Sequence, residues 1–334
     1  MKICSLCFND NALGSYIETN GNVGICDFTG EKSKIVDIVD LTDFFESLID
    51  SFVEETDGIP LYDIIQSDWN VFNDDYGRDL LKEILKEIES VFNIDSLVKY
   101  STLIDEAVKE WGHIKNSLIN NYRYLTVKDI EGENYFEEAF AVHEAPLPHP
   151  MLLYRSRINT NGDDHPMDKS VMGAPPKPLT TAGRANPEGI PFLYLSSNAE
   201  TTFYETRAIY LDCVSTGTFS SKKDLRIVDF TYQGSPFNPI YSDVKSGIIS
   251  EKLAKMISLD MSKPMRRSDS AVDYVPTQFI CEYIKYLAKA DGIAFRSSLH
   301  DGINYVFFDV NTFECIDVKI HKIAKVTIEE DNML

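Results

Sequence analysis

The chain has 334 residues, 43% of them hydrophobic, with 53 acidic and 32 basic side chains and a formal net charge of −21; at this length two separate cores are expected. The acidity is uneven, since residues 1–150 carry 30 Asp and Glu against 11 Lys and Arg, whereas residues 151–334 carry 23 against 21. An acidic half with no basic run elsewhere repels phosphate backbones, and no apolar run is long enough to span a bilayer, so no nucleic acid and no membrane is expected as a partner.

The apolar stretch before Asn9 and Asp10 is too short for a signal peptide, and a cytoplasmic protein is expected. Six cysteines do not make a disulfide framework over this length, and in a reducing compartment they read as thiols or metal ligands. Cys4-x-x-Cys7 and Cys26-Asp27-Phe28-Thr29 look like the two knuckles of a zinc ribbon, because two short loops can present four soft ligands tetrahedrally. Threonine is a poor zinc ligand. Either another residue completes a zinc site on Cys4, Cys7 and Cys26, or the thiols pack as small buried side chains.

From Asp40 the pattern turns helical. Leu41, Phe44, Phe45, Leu48, Ile49, Phe52 and Val53 recur at three- and four-residue intervals, which predicts an amphipathic helix capped near Asp40 or Thr42. A second helix is expected from about Gly77 to Phe92. A third follows Asp95-Ser96 and carries Leu97, Tyr100, Leu103, Ile104, Ala107, Val108 and Trp111. Three such helices make a small acidic bundle. Residues 129–150, ending in Pro146-Leu147-Pro148-His149-Pro150, suit an extended connector with His143 and His149 exposed, and the domain boundary falls there.

The second half mixes strands and helices. Strands are expected at Leu152–Arg155, Phe192–Ser196, Ile209–Val214, Leu225–Phe230, Ile293–Phe295, Tyr305–Val310 and Phe313–Ile320, and helices at Val244–Met256 and Tyr274–Ala290. The stretch Asn159–Pro191, rich in Gly, Pro and Asn, reads as a long loop that covers a site or lacks order.

Chemistry-bearing residues concentrate in this half. Gly183-Arg184-Ala185-Asn186 with Gly189, the strand around Leu193-Tyr194, and Thr202–Glu205 place an arginine, a tyrosine and a carboxylate within a short span. Tyr154-Arg155-Ser156-Arg157 precedes them, and Arg296-Ser297-Ser298 with Asn304 follows. Arginine offers a fork of donors suited to a pyrophosphate, so Arg155 and Arg184 are candidates for that contact. Tyr194 could stack on a flat ring. Glu205, beside Phe203 and Tyr204, reads as a partly desolvated carboxylate able to stabilise growing positive charge. The bland readings are a structural ion pair for the arginine, a core position for the tyrosine and a turn cap for Asn304.

Taken in order, these motifs resemble those of the RES domain family over roughly residues 150–320, and the acidic first half resembles the HEPN-related region that accompanies some RES proteins. The resemblance implies an α+β protein: an acidic helical N-terminal module, HEPN-like, over 1–145 with a degenerate zinc knuckle at 4–29, then a mixed α/β RES domain over 150–325 with a fold similar to ADP-ribosyltransferases. It implies an NAD-degrading toxin or defence effector that cleaves the nicotinamide–ribose bond as a glycohydrolase or phosphorylase, with an antitoxin protein as partner and the oligomeric state left open. By position, Arg155, Glu205 and Ser297 correspond to the family's Arg, Glu and Ser, and Tyr194 to its tyrosine; Arg157 could replace Arg155 and Ser298 could replace Ser297. Arg184 and Asn304 join the substrate-binding set.

Two other functions fit the same pocket, a mono-ADP-ribosyltransferase acting on a macromolecule and a non-catalytic NAD-binding sensor. A HEPN ribonuclease needs an arginine four to six residues before a histidine on one helix, and neither Arg78 nor Arg123 has one. No Walker lysine motif, G-x-S-x-G elbow or G-x-G-x-x-G is present, which argues against P-loop, hydrolase-elbow and Rossmann chemistry.

Overall fold

The computed structural model describes residues 1–123, 133–160, 163–264 and 270–327; positions 129–132 of the expected connector and 161–162 of the expected long loop lie outside them. The chain mixes helices and strands throughout, as the α+β class requires, and divides into two compact units. One is formed by residues 1–113, 133–142 and 233–254, the other by 114–123, 143–232 and 255–327 without the positions just excluded. No helix among the described residues is long and apolar enough to cross a membrane.

In the first unit, β1 (Lys2–Cys4), α1 (Asn11–Asn20), β2 (Asn22–Ile25) and β3 (Lys32–Asp37) build a small antiparallel sheet in the order β1-β3-β2. Asp10 caps α1 by accepting the amides of Ala12 and Leu13, each at 2.9 Å, two of the donors a helix start leaves unpaired. Then come α2 (Thr42–Ile49), β4 (Phe52–Pro60), α3 (Leu61–Trp69), α4 (Gly77–Glu87), β5 (Leu97–Tyr100), α5 (Thr102–Asn120) and α6 (Glu133–Val142), with β4 and β5 paired antiparallel.

These five strands stand beside the helices expected of this module and were not among the expected elements. Phe52 and Val53 continue the apolar spacing of α2 but open β4. Leu97 and Tyr100 fit helical spacing, yet Leu97 is exposed and it is Val98 and Tyr100 that are buried; that is the period of two of a strand. The expected connector contains α6 and then β6 (Glu144–Leu147), its prolines falling only after the helix has ended. His143 is not exposed. It is buried, with Nδ1 2.7 Å from the Asp229 carbonyl and its ring stacked on Tyr232 at 4.8 Å.

Residues 233–254 also pack within the first unit. Phe237 lies against Phe44 and Phe45 with ring centroids 6.1 and 5.7 Å apart. Lys252 reaches Asp68 at 2.9 Å and sits 4.0 Å over the Tyr100 ring. A boundary drawn at residue 145 leaves this segment on the wrong side.

The second unit is built on β6, β7 (Leu152–Ile158), β8 (Leu193–Ser196), β9 (Cys213–Ser221), β10 (Leu225–Asp229), β11 (Gly292–Arg296), β12 (Ile303–Phe307) and β13 (Phe313–Lys322), in the order β13-β9-β7-β8-β12-β11-β10-β6. Only β10 and β11 run parallel. Helices α7 (Ala199–Glu205), α8 (Val244–Ser262) and α9 (Val275–Leu287) complete the order, and α5 and α8 each contribute residues to both units. Leu153, Leu193, Leu195, Phe219, Ile227 and Phe307 share one buried apolar cluster. Each such side chain contributes roughly 1.5–3 kcal/mol by leaving water, and truncating Phe307 to alanine costs about 3–5 kcal/mol.

Two strand expectations shift. Ile209–Asp212 is a turn closed by the Ile209 amide on Asp212 Oδ2 at 2.8 Å, with Leu211 at φ 73°, so the strand begins only at Cys213. Strand β12 starts at Ile303, two residues before the expected Tyr305. The described part of Asn159–Pro191 holds two short 3-10 turns and no strand or longer helix, as a loop should.

Candidate active site

Four adjacent strands at the centre of the sheet carry the site. Tyr154 on β7 pairs with Ser196 on β8, Ser196 with Asn304 on β12, and Asn304 with Phe295 on β11, so these four residues form one lateral row. All four line a cleft of about 360 Å³, together with Arg155, Arg184, Tyr194, Thr202, Glu205, Arg207, Tyr274 and Ser298.

Glu205 is the last residue of α7, a helix held at both ends. The Asn198 side chain accepts the Thr201 amide at 2.8 Å, capping the start. Thr202 Oγ1 meets Ser156 Oγ at 2.5 Å, anchoring the helix to β7. The Glu205 carboxylate then receives two hydrogen bonds on Oε1, from Ser297 Oγ at 2.8 Å and from Asn304 Nδ2 at 2.6 Å. Asn304 is itself turned for this by Ser196, whose Oγ donates to Asn304 Oδ1 at 2.7 Å. No described residue bonds Oε2. The expected desolvation is absent, because Glu205 is exposed at the cleft; its neighbours fix its orientation instead of excluding water from it.

Arg155 projects from β7 into the same cleft. Its Nη1 donates to the Tyr194 carbonyl at 2.9 Å, and its Nε is buried without a partner. Burial, with added repulsion from Arg157, lowers the guanidinium to about 10. Arg157 donates through Nη2 to the Gly173 carbonyl at 2.6 Å and is not among the cleft-lining residues. Of the two arginines, Arg155 lines the cleft and Arg157 does not. Arg184 also lines the cleft, with its Nη1 bonded to the Met261 carbonyl, and burial lowers it as well.

Tyr194 is neither a plain core residue nor free to swing. Its hydroxyl donates to Asn186 Oδ1 at 2.7 Å and accepts the Ala185 amide at 3.0 Å, and burial raises its titration. A Cβ at Gly183 would lie 2.5 Å from Asn186 Oδ1 and 2.8 Å from the Tyr194 hydroxyl, so the glycine makes room for this pair and not for a ligand. Ser297 and Ser298 divide the expected role: Ser297 holds Glu205, and Ser298 faces the cleft.

Ser196, Thr202, Tyr274 and Phe295 were not expected in the site. Ser196 had a usable signal, since it lies two positions after Tyr194 on one strand and therefore on the same face. Tyr274 and Phe295 had none in sequence. Apart from this cleft, the first unit brings the buried sulfurs of Cys4, Cys7 and Cys26 within 4.8 Å of one another.

The part-buried Arg155 and Arg184 guanidinium groups and the oriented, exposed Glu205 carboxylate thus line one cleft. The RES domain model matches residues 152–329, more than half of the chain, and the protein belongs to the RES domain family. No curated protein matches the sequence. Among solved structures, a chain of the crystal structure of the M. tuberculosis MbcT-MbcA toxin-antitoxin complex is similar at 12% identity and a TM-score of 0.34, over 58% of this chain and 96% of that one.

Proposed function

We propose that the RES domain cleaves the bond between nicotinamide and ribose in NAD and passes the ADP-ribosyl group to water or inorganic phosphate. The observation that carries this is the pairing, on one cleft, of a Glu205 carboxylate fixed by Ser297 and Asn304 with the Arg155 guanidinium whose buried Nε has no protein partner. Nicotinamide leaves as a neutral molecule from a ring that is already cationic, so the reaction needs no general acid, in contrast to ordinary glycoside cleavage. Charge grows on the ribose as the bond stretches.

Glu205 opposes that charge. Its Oε1 is held by two donors, so Oε2 keeps its acceptor capacity for a ribose hydroxyl, and the interaction strengthens as the ribose becomes cationic. Arg155 and Arg184 take the pyrophosphate, whose negative charge relieves the cost of holding a guanidinium in a desolvated position. Tyr194, locked by Asn186, presents a rigid ring beside the reacting bond. With water as acceptor the products are ADP-ribose, nicotinamide and a proton; with phosphate, its oxygen forms the new bond to the ribose.

The family resemblance supports a toxin role and a protein antitoxin as the restraining partner. Incubating the full chain with NAD and following products by NMR, with and without phosphate, tests the reading. Free nicotinamide with ADP-ribose in both arms would assign water as the acceptor, and nicotinamide with a phosphorylated ADP-ribose only in the arm with phosphate would assign phosphate. ADP-ribose attached to an added protein in place of free product would assign a transferase, and binding of NAD without nicotinamide release would assign a sensor.

A further inference from the structure

We propose that Cys4, Cys7 and Cys26 bind one zinc ion as three thiolates, with the Thr29 hydroxyl at the fourth corner, and that the ion ties β1 to the β2–β3 hairpin. All three cysteines are buried, and their sulfurs lie within 4.8 Å of one another. Two ligands about 2.3 Å from a tetrahedral zinc stand roughly 3.8 Å apart. Cys7 Sγ lies 3.6 Å from Cys26 Sγ, and Cys4 Sγ lies 3.7 Å from Thr29 Oγ1. Both spacings suit edges of one coordination tetrahedron, and the sulfur pair is far too long for a disulfide, which needs about 2.05 Å.

The backbone around Cys26 is that of a ligand-bearing knuckle. The chain reverses between β2 and β3, the Gly30 amide donates to the Cys26 carbonyl at 2.9 Å, and Gly30 takes φ 71°, which a residue with a Cβ rarely adopts. Threonine therefore occupies a position whose surroundings are arranged for a ligand. Among the described residues no carboxylate or imidazole joins the three sulfurs, and the Thr29 hydroxyl beside Cys4 is the weak, neutral donor assigned to the fourth corner. Metal entry displaces the thiol protons to water.

Zinc content of the full-length protein, purified without chelator, is expected to be about one ion per chain and to fall to none in Cys26→Ser. Thr29→Cys is expected to slow zinc loss to a competing chelator, and Thr29→Ala to speed it. Because Cys26→Ser could fail to fold, cobalt(II) titration of the unaltered protein provides a second reading: thiolate-to-cobalt charge-transfer absorption saturating at one equivalent is expected. Unchanged zinc content in folded Cys26→Ser would overturn the proposal. So would a wild-type protein that carries no zinc and gives no such absorption, or mass spectrometry showing Cys7 and Cys26 joined in a disulfide in the purified protein.

Discussion

Replacing Arg155 with methionine separates an arginine kept for a ligand from one kept for the fold. Lowering the guanidinium to about 10 means that the native state holds this cation at a cost of roughly 3 kcal/mol relative to the unfolded chain. The folded value lies below the unfolded one, so the cost is present in full at every pH below about 10, shrinks as pH rises toward the unfolded value and vanishes above that. Methionine fills a similar volume without charge and leaves no buried, unpaired Nε. Against this gain stands the lost hydrogen bond to the Tyr194 carbonyl, worth about 1 kcal/mol, and some lost packing. Arg155→Met is therefore expected to be more stable than the parent by about 1–2 kcal/mol at pH 7, a rise in Tm of roughly 2–6 °C, while NAD cleavage is lost. Thermal unfolding of both proteins, with and without ADP-ribose, measures this; the ligand should raise the Tm of the parent and leave the variant unmoved. A variant destabilised by more than about 2 kcal/mol that still responds to ADP-ribose would refute the reasoning and make Arg155 a structural anchor.

Glu205→Gln is expected to keep the parent's stability, because the side chain is exposed, and to lower kcat by about 10²–10³; nicotinamide release at the parental rate would remove Glu205 from the mechanism. Asn304→Ala and Ser297→Ala should each lower kcat more than they change KM, and each should have little further effect in the Glu205→Gln background, since both act through that carboxylate. Additive losses in the double variants would contradict this. Tyr194→Phe deletes the hydroxyl that joins Asn186 and Ala185 and is expected to cost about 1–3 kcal/mol of stability and to raise KM; denaturant unfolding and steady-state kinetics check the two halves. Ser196→Ala, which frees Asn304, should reduce kcat by less than Asn304→Ala, and an equal or larger loss would place Ser196 in direct contact with substrate.

Much of the candidate site was legible because its members are distinct residue types in a fixed order on strands whose apolar alternation is strong. Glu205, Tyr194, Arg155, Arg184, Ser298 and Asn304 all reach the cleft, although they come from β7, the loop before β8, β8, α7, the turn after β11, and β12. The choices between neighbours were not legible. Arg155 and Arg157 lie two apart on one strand, as alike in local sequence as two residues can be, and only the position of the cleft separates them. The desolvation expected at Glu205 rested on aromatic neighbours along the chain, but side chains next to one another on a helix point in different directions, and the carboxylate is exposed.

The acidic first half shows the same limit in its fold. Helical spacing identified the beginnings of α2 and α4, where the apolar stripe is long, but it absorbed Phe52–Val53 and Leu97–Tyr100, which belong to β4 and β5. Two or three apolar positions over so short a span satisfy both periods, and pairing with a distant partner decides between them.

The amino-acid sequence alone determined composition, charge asymmetry, several helices and strands of the second half and the inventory of chemical groups, because each follows from residue identity or from spacing within one element. Tertiary structure decided that residues 233–254 pack with the first unit, that Ser196, Asn304 and Ser297 form a chain of donors ending on Glu205, and that Arg155 lines the cleft while Arg157 does not. Those facts depend on which strands lie side by side, and strand order is fixed by packing between segments that local spacing does not connect.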